Sequence, residues 1–239
     1  MPLFERAGTS LYYEEFGTGY PLLLFAPGGM RSGVEFWHRS PFDPTREFAA
    51  DFRVIAMDQR NAGRSRAPVS AADSWDTYSA DHLALLDHLG LRRAHVMGGC
   101  IGSSYCLNII KNAPERISGA VLQNPIGLHE NREAFREMFD GWGKELARDR
   151  ADVNEKDLAS FRESMYGGDF VFCVSRDFVR GCQTPLMLLA GDDLYHPAPI
   201  SREIAELAPN LEYVPEWKSA AAAPLAVERV RAFLKKHQS

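Results

Sequence analysis

A chain of 239 residues, 45% hydrophobic and 25% charged, has the make-up of one globular domain, or one with an insertion, and excludes a disordered or collagen-like polymer. Its 27 basic and 32 acidic side chains leave a net charge of −5, so a nucleic-acid partner, which would require a basic face, is not expected. Four cysteines without C-x-x-C spacing argue against a disulfide scaffold or a structural metal, and point to reduced thiols in a cytoplasmic protein.

The opening MPLFERAGTS lacks a charged start followed by an apolar stretch, so no signal peptide is expected. No apolar run approaches the roughly 18 residues that span a bilayer, so no membrane partner is expected either. Residues 11–16, then Gly17-Thr18-Gly19, then residues 21–26 read as a β-hairpin. Residues 53–57 form a short apolar strand. Residues 81–89 place Leu83, Leu85, Leu86 and Leu89 at helical spacing, with Gly90 as the stop. Residues 95–98 are a strand running into glycines, 101–113 a buried helix ended by Pro114, and 119–124 a strand. Strands follow at 185–190 and 212–214. A closing helix at 225–236 gathers Val227, Val230, Phe233 and Leu234 on one face.

Strands alternating with helices imply an α/β fold with a mostly parallel, doubly wound sheet, whose functional loops lie at the carboxyl ends of the strands. Residues 129–180 interrupt this rhythm with Phe135, Met138, Phe139, Trp142, Phe161, Met165, Phe170 and Phe172 at helical periodicity. They are expected to be a small helical lid inserted between two strands, dividing the core into residues 1–128 and 181–239. Ordinary sheet-covering helices are the alternative.

The sharpest chemical signal is Met97-Gly98-Gly99-Cys100-Ile101-Gly102, a G-x-C-x-G that follows a strand and opens a helix. A nucleophile lifted off such a turn sits in a strained backbone, and side chains two residues either side would collide with the turn. The helix amino end favours thiolate over thiol at Cys100, and the Ile101 N–H becomes a donor for an oxyanion. A dinucleotide turn is the competing reading of Gly98-Gly99, but G-x-G-x-x-G is not met. An inert buried thiol is the competing reading of Cys100.

Four segments in order resemble the α/β-hydrolase superfamily over nearly the whole length. They are Leu24-Phe25-Ala26-Pro27-Gly28-Gly29-Met30, Asp58-Gln59-Arg60-Asn61-Ala62-Gly63-Arg64-Ser65, the Cys100 elbow, and Leu188-Leu189-Ala190-Gly191-Asp192-Asp193-Leu194-Tyr195-His196-Pro197. The resemblance implies the α/β-hydrolase fold with Cys100 as nucleophile. It implies Asp193, four residues before Pro197, as the acid, with Asp192 the second choice. It also implies Gly29 as the second oxyanion donor beside Met30, and the 58–65 segment as a turn bracing the oxyanion loop. Cysteine in this elbow is similar to dienelactone hydrolases and polyhydroxyalkanoate synthases.

The family places its histidine in the loop after the last strand. Here that loop, Val214-Pro215-Glu216-Trp217-Lys218-Ser219-Ala220-Ala221-Ala222-Ala223-Pro224, contains none. His196 on the acid loop, His129 after the 119–124 strand and His38 beside Trp37 are the substitutes at the catalytic edge, each with surface or packing as its alternative. His82, His88 and His237 read as solvent-facing, and His95 lies at the opposite edge. Glu216 and Lys218 are further options that no spacing singles out.

The expected function is hydrolysis of a small ester, lactone or thioester through a Cys100 acyl-enzyme, with neither metal nor organic cofactor. The aromatic insertion suggests an apolar or aromatic small-molecule substrate, while Arg31, Arg60 and Arg64 are candidates for a carboxylate. Two alternatives stay open: acyl transfer, and a non-hydrolytic protein that binds a small ligand or runs a lyase, isomerase or cyclase step in the oxyanion pocket.

Overall fold

The computed structural model describes residues 2–238. The chain runs through β1 (Leu3–Arg6), β2 (Thr9–Phe16) and β3 (Tyr20–Phe25), a short helix α1 (Pro44–Glu47), β4 (Phe52–Met57), α2 (Trp75–His88), β5 (Ala94–Gly99) and α3 (Ile101–Asn112). It continues with β6 (Ile117–Gln123), α4 (Arg132–Asp149), α5 (Glu155–Tyr166), α6 (Arg176–Gly181), β7 (Leu186–Leu189), α7 (Ala198–Leu207), β8 (Leu211–Val214) and α8 (Ala222–Lys236).

The strands form one eight-stranded sheet in the order β1-β2-β4-β3-β5-β6-β7-β8. β1–β2 and β2–β4 pair antiparallel, and every other pairing is parallel. The parallel strands are near-continuous apolar runs because helices cover both faces. Alternation along β3 shows the division: Leu23 and Phe25 face the cluster that includes α2, α3 and α4, while Leu22 and Leu24 face Trp37, Phe48 and the apolar stripe of α8.

The expected hairpin does not form. β2 pairs with β4, not with β3, because β4 enters between them and takes β3 as a parallel neighbour. The Gly17–Gly19 link is a tight passage under that strand: a Cβ at Gly17 would overlap the Ala49 carbonyl. α2 starts at Trp75, six residues before its expected start, behind a reciprocal capping box of Ser74 and Thr77. Helices α4, α5 and α6 fill the β6–β7 crossover, where a helical insertion was expected. No helix is long and apolar enough to cross a membrane among the described residues.

The carboxyl ends of β3, β5, β6 and β7 open on the same edge. There the 26–34 loop, the β5–α3 turn, the β6–α4 link and the β7–α7 loop meet. Asp58 braces the first of these by accepting from the Val34 N–H at 2.7 Å and the Arg64 N–H at 2.8 Å. Ser32 ties the loop back to the Ala26 carbonyl at 2.6 Å and accepts the Gln59 N–H at 2.9 Å through its own carbonyl.

Candidate active site

Cys100 stands between β5 and α3 with φ 58° and ψ −120°, a conformation that few side-chain-bearing residues adopt. The turn closes only because its flanks are bare. A Cβ at Gly98 would overlap the Gly102 carbonyl, and one at Gly102 would overlap the Phe25 carbonyl. The Cys100 N–H bonds the Gln123 carbonyl at 2.9 Å, and Ser103 Oγ reaches the same oxygen at 3.0 Å, so β6 holds the turn from behind. Cys100 is half-buried, whereas Cys106, Cys173 and Cys182 are buried.

The β7–α7 loop brings His196 and Asp193 to this sulfur. His196 Nδ1 lies 2.8 Å from both carboxylate oxygens of Asp193. Backbone bonds in both directions join residues 193 and 196, and Asp193 Oδ1 also accepts the N–H groups of Tyr195 and His196 at 3.0 and 3.1 Å. The loop must pass very close to its own start: a Cβ at Gly191 would overlap the His196 carbonyl. His196 Nε2 is buried without a hydrogen-bond partner among the described residues, and the ring lines the same cavity as Cys100, near enough for the two groups to influence each other's charge.

Charge couples the two groups. Burial, the largest influence on Cys100, opposes ionisation. The nearby His196 cation, with the Ile101 and Gly28 amides donating to the sulfur, outweighs burial and brings the thiol below its ordinary value. Burial likewise works against a charged His196, but the Cys100 thiolate and the Asp193 carboxylate lift it to about 9. Each group thus favours the charged form of the other, thiolate beside imidazolium. By contrast, burial pushes Cys173 up to about 12 and Cys106 well above a free thiol.

The sulfur opens on a cavity of about 250 Å³. Its walls are Gly28, Gly29 and Ile101 at the reacting end and Ile126, Phe135, Met138 and Tyr166 beyond, with Tyr195 and His196 at the side. Apart from His196 no charged side chain lines it among the described residues.

The sequence candidates distribute unevenly around this cavity. Cys100, Asp193, His196, Gly29 and Ile101 converge. Gly28, one residue before the expected donor, is the loop amide that reaches the sulfur, and Met138 Sδ would lie 2.7 Å from a Cβ at Gly29. Met30 is buried behind the wall, and neither it nor His129 lines the cavity; the Asn131 carboxamide oxygen binds the His129 N–H at 2.9 Å. His38 is exposed and bound to Asp43 at 2.7 Å. Asp192 is paired with Lys218 instead of a histidine. The three arginines are already engaged, Arg31 with Glu145, Arg64 with Asp58 and Glu14, and Arg60 with Asp73 and Asp81 in a buried cluster.

His82 was expected in solvent. It is fully buried, stacked on Phe25 and bonded to Gln59 Oε1 at 2.7 Å, because α2 turns that face onto the sheet. In the loop after β8, Trp217 is buried and its indole N–H bonds the Ala190 carbonyl at 2.8 Å. Sequence reasoning missed Phe135, Met138 and Tyr166 as cavity walls. Their helical spacing marked an apolar face, but nothing local told core from cavity.

Residues 21–180 match the family model described as alpha/beta hydrolase fold. Among curated relatives, the chain is 33% identical over 124 residues to a putative carbamate hydrolase RutD from Azorhizobium caulinodans, covering 52% of this chain and 44% of that protein. It is 36% identical over 177 residues to a proline iminopeptidase from Neisseria meningitidis, covering 69% of this chain and 55% of that one. The matched region thus spans about half the length of these relatives. Among solved structures, an enol-lactonase from Burkholderia xenovorans superposes with a TM-score of 0.72 at 21% identity, covering 98% of this chain and all of that one. A meta-cleavage product hydrolase from Pseudomonas fluorescens does so with a TM-score of 0.72 at 19% identity, covering 99% and 98%.

Proposed function

This chain belongs to the alpha/beta hydrolase fold family, and from that premise we propose that it is a thiol-dependent hydrolase of small, uncharged, apolar esters, lactones or thioesters. The observation that carries the reading is that Cys100 and His196 both line an apolar cavity of about 250 Å³, with Asp193 bonded to the His196 ring behind it.

In this mechanism the Cys100 thiolate attacks the substrate carbonyl. A C–S bond forms, and the carbonyl π pair moves onto oxygen, where the Ile101 N–H and the Gly28–Gly29 amides receive it. Such donors contribute about 3 kcal/mol each at comparable sites. Collapse breaks the bond to the leaving group, which takes the proton held on His196 Nε2. Neutral His196 then removes a proton from water as the water attacks the thioester. The acid departs, and the thiolate and imidazolium are restored. Asp193 holds the ring with Nε2 toward the sulfur. Helices α4 and α5 act as the lid, placing Phe135, Met138 and Tyr166 over the acyl group.

The absence of histidine from the loop between β8 and α8 supports a rival reading in which the pocket binds without hydrolysing. Turnover of p-nitrophenyl acetate with intact-mass analysis separates the two. Hydrolysis by the parent, a transient acetyl adduct on Cys100, and loss of both in Cys100→Ala and His196→Gln are expected. A parent protein without turnover or adduct, in which iodoacetamide modifies other cysteines first, overturns the thiol mechanism.

A further inference from the structure

Two tyrosines line the cavity. Tyr195 is 36% exposed at the rim, whereas Tyr166 is 1% exposed at the last turn of α5. The Tyr166 hydroxyl donates to Met30 Sδ at 3.6 Å, its only hydrogen bond among the described residues. A thioether is a weak acceptor, and a buried phenol ordinarily finds oxygen or nitrogen. Met30 follows the Gly28–Gly29 turn, so the hydroxyl sits on the oxyanion-loop side of the cavity. Its ring cannot swing away to water. It stacks on Phe135 at 5.3 Å and meets Phe172 and Trp75 edge-on at 5.4 and 6.2 Å. Burial, with Tyr78 and the Cys100 thiolate nearby, keeps the phenol protonated, so it remains a donor.

We propose that Tyr166 selects the substrate, its Oη donating to an acceptor oxygen carried by the acyl half and exchanging Met30 Sδ for that oxygen. This rests on the Cys100 reading, which makes the cavity the acyl site. The substrate class is then a small uncharged acyl group with one ether, keto or ring oxygen in an otherwise hydrocarbon frame. A carboxylate in this sac would be desolvated with only the His196 imidazolium as a cation, and that ring is already paired with Asp193, while no arginine lines the cavity among the described residues. A pure hydrocarbon would leave the phenol on its thioether.

The test compares p-nitrophenyl methoxyacetate with p-nitrophenyl butanoate, which differ by one oxygen for one methylene. The ratio of their kcat/KM values cancels the common chemistry when parent and variant are compared. Tyr166→Phe is expected to lower that ratio about tenfold, the cost of removing one partner of a buried hydrogen bond. Met30→Leu is expected to keep it, since the thioether is the partner given up. Equal loss on both esters in Tyr166→Phe, or the same fall of the ratio in both variants, makes the contact structural and overturns the proposal. A second arm avoids the acyl-enzyme altogether. In Cys100→Ala, methoxyacetone is expected to bind more tightly than 2-pentanone by NMR titration, and Tyr166→Phe on that background to abolish the difference. A parent without turnover but with this preference intact sinks the Cys100 reading alone; no preference in this arm sinks the Tyr166 inference.

Discussion

Gly191 separates β7 from the Asp193–His196 turn, and a methyl group there would overlap the His196 carbonyl and come 2.6 Å from its Cβ. Gly191→Ala is expected to move the imidazole off the sulfur. The Cys100 thiol, followed by its ultraviolet thiolate absorbance, then titrates nearer an ordinary thiol, and kcat/KM falls roughly 10- to 100-fold, about 1.4–2.8 kcal/mol. A variant with parental titration would remove His196 from the mechanism. Asp193 is half-exposed, so water screens its charge. Asp193→Asn is accordingly expected to cost less activity than His196→Gln, about tenfold against a hundredfold or more. The pH profile follows from the same pair. The thiolate–imidazolium form exists above the lowered value of Cys100 and below about 9. Alkylation of Cys100 should therefore begin at lower pH than for a free thiol. Turnover should decline as pH rises through about 9, where His196 loses the proton it gives the leaving group.

At the scale of elements, the loop after β8 has been given over to packing. Trp217 fills it and Lys218 pairs with Asp192, while Glu216 is exposed. Glu216→Gln is expected to change kcat/KM by less than about twofold, as surface substitutions usually do; a larger loss would return the base to that loop. Helix α4 carries the opposite sensitivity. Phe135 stacks on Tyr166 and meets Tyr195 edge-on at 5.4 Å, joining the cavity roof to the base loop. Phe135→Ala is expected to cost roughly 3 kcal/mol in urea unfolding and to shift the acyl preference toward longer chains. Helices α2, α3 and α8 were legible from periodicity, whereas α1 and α7 were not read. The capping box at Ser74 and the insertion of β4 beside β2 were not, because strand order depends on contacts among distant segments.

For the molecule as a whole, stability in acid depends on two histidines remote from the sulfur. Burial, aided by Arg60, holds His82 down to about 3, and burial holds His95 down to about 4. Both stay neutral in the folded chain while the unfolded chain takes up protons below about 6.5. Each histidine therefore removes about 1.4 kcal/mol of stability per pH unit as pH falls below that point, until its own folded value is reached. Urea midpoints should drop between pH 7 and pH 5, and His82→Gln should flatten that drop. An unchanged slope would mean that His82 does not carry the acid sensitivity. Sequence periodicity put His82 on a helix but on the wrong face, since α2 buries the side on which Trp75, Tyr78 and His82 lie.

The elbow glycines and the apolar strand runs are local features, written in spacing alone, because close packing of a turn forbids side chains at particular positions. They determined the fold class and brought Cys100 forward, and the resemblance to the α/β-hydrolase superfamily added Asp193 and Gly29 as candidates. Which imidazole meets the sulfur, which amide of the glycine pair faces it, and which aromatic residues enclose the cavity depend on where separate loops come to rest on one sheet edge. Those distances arise only when β5, β6 and β7 align in register. Before that, His38, His129 and His196 are three equivalent candidates.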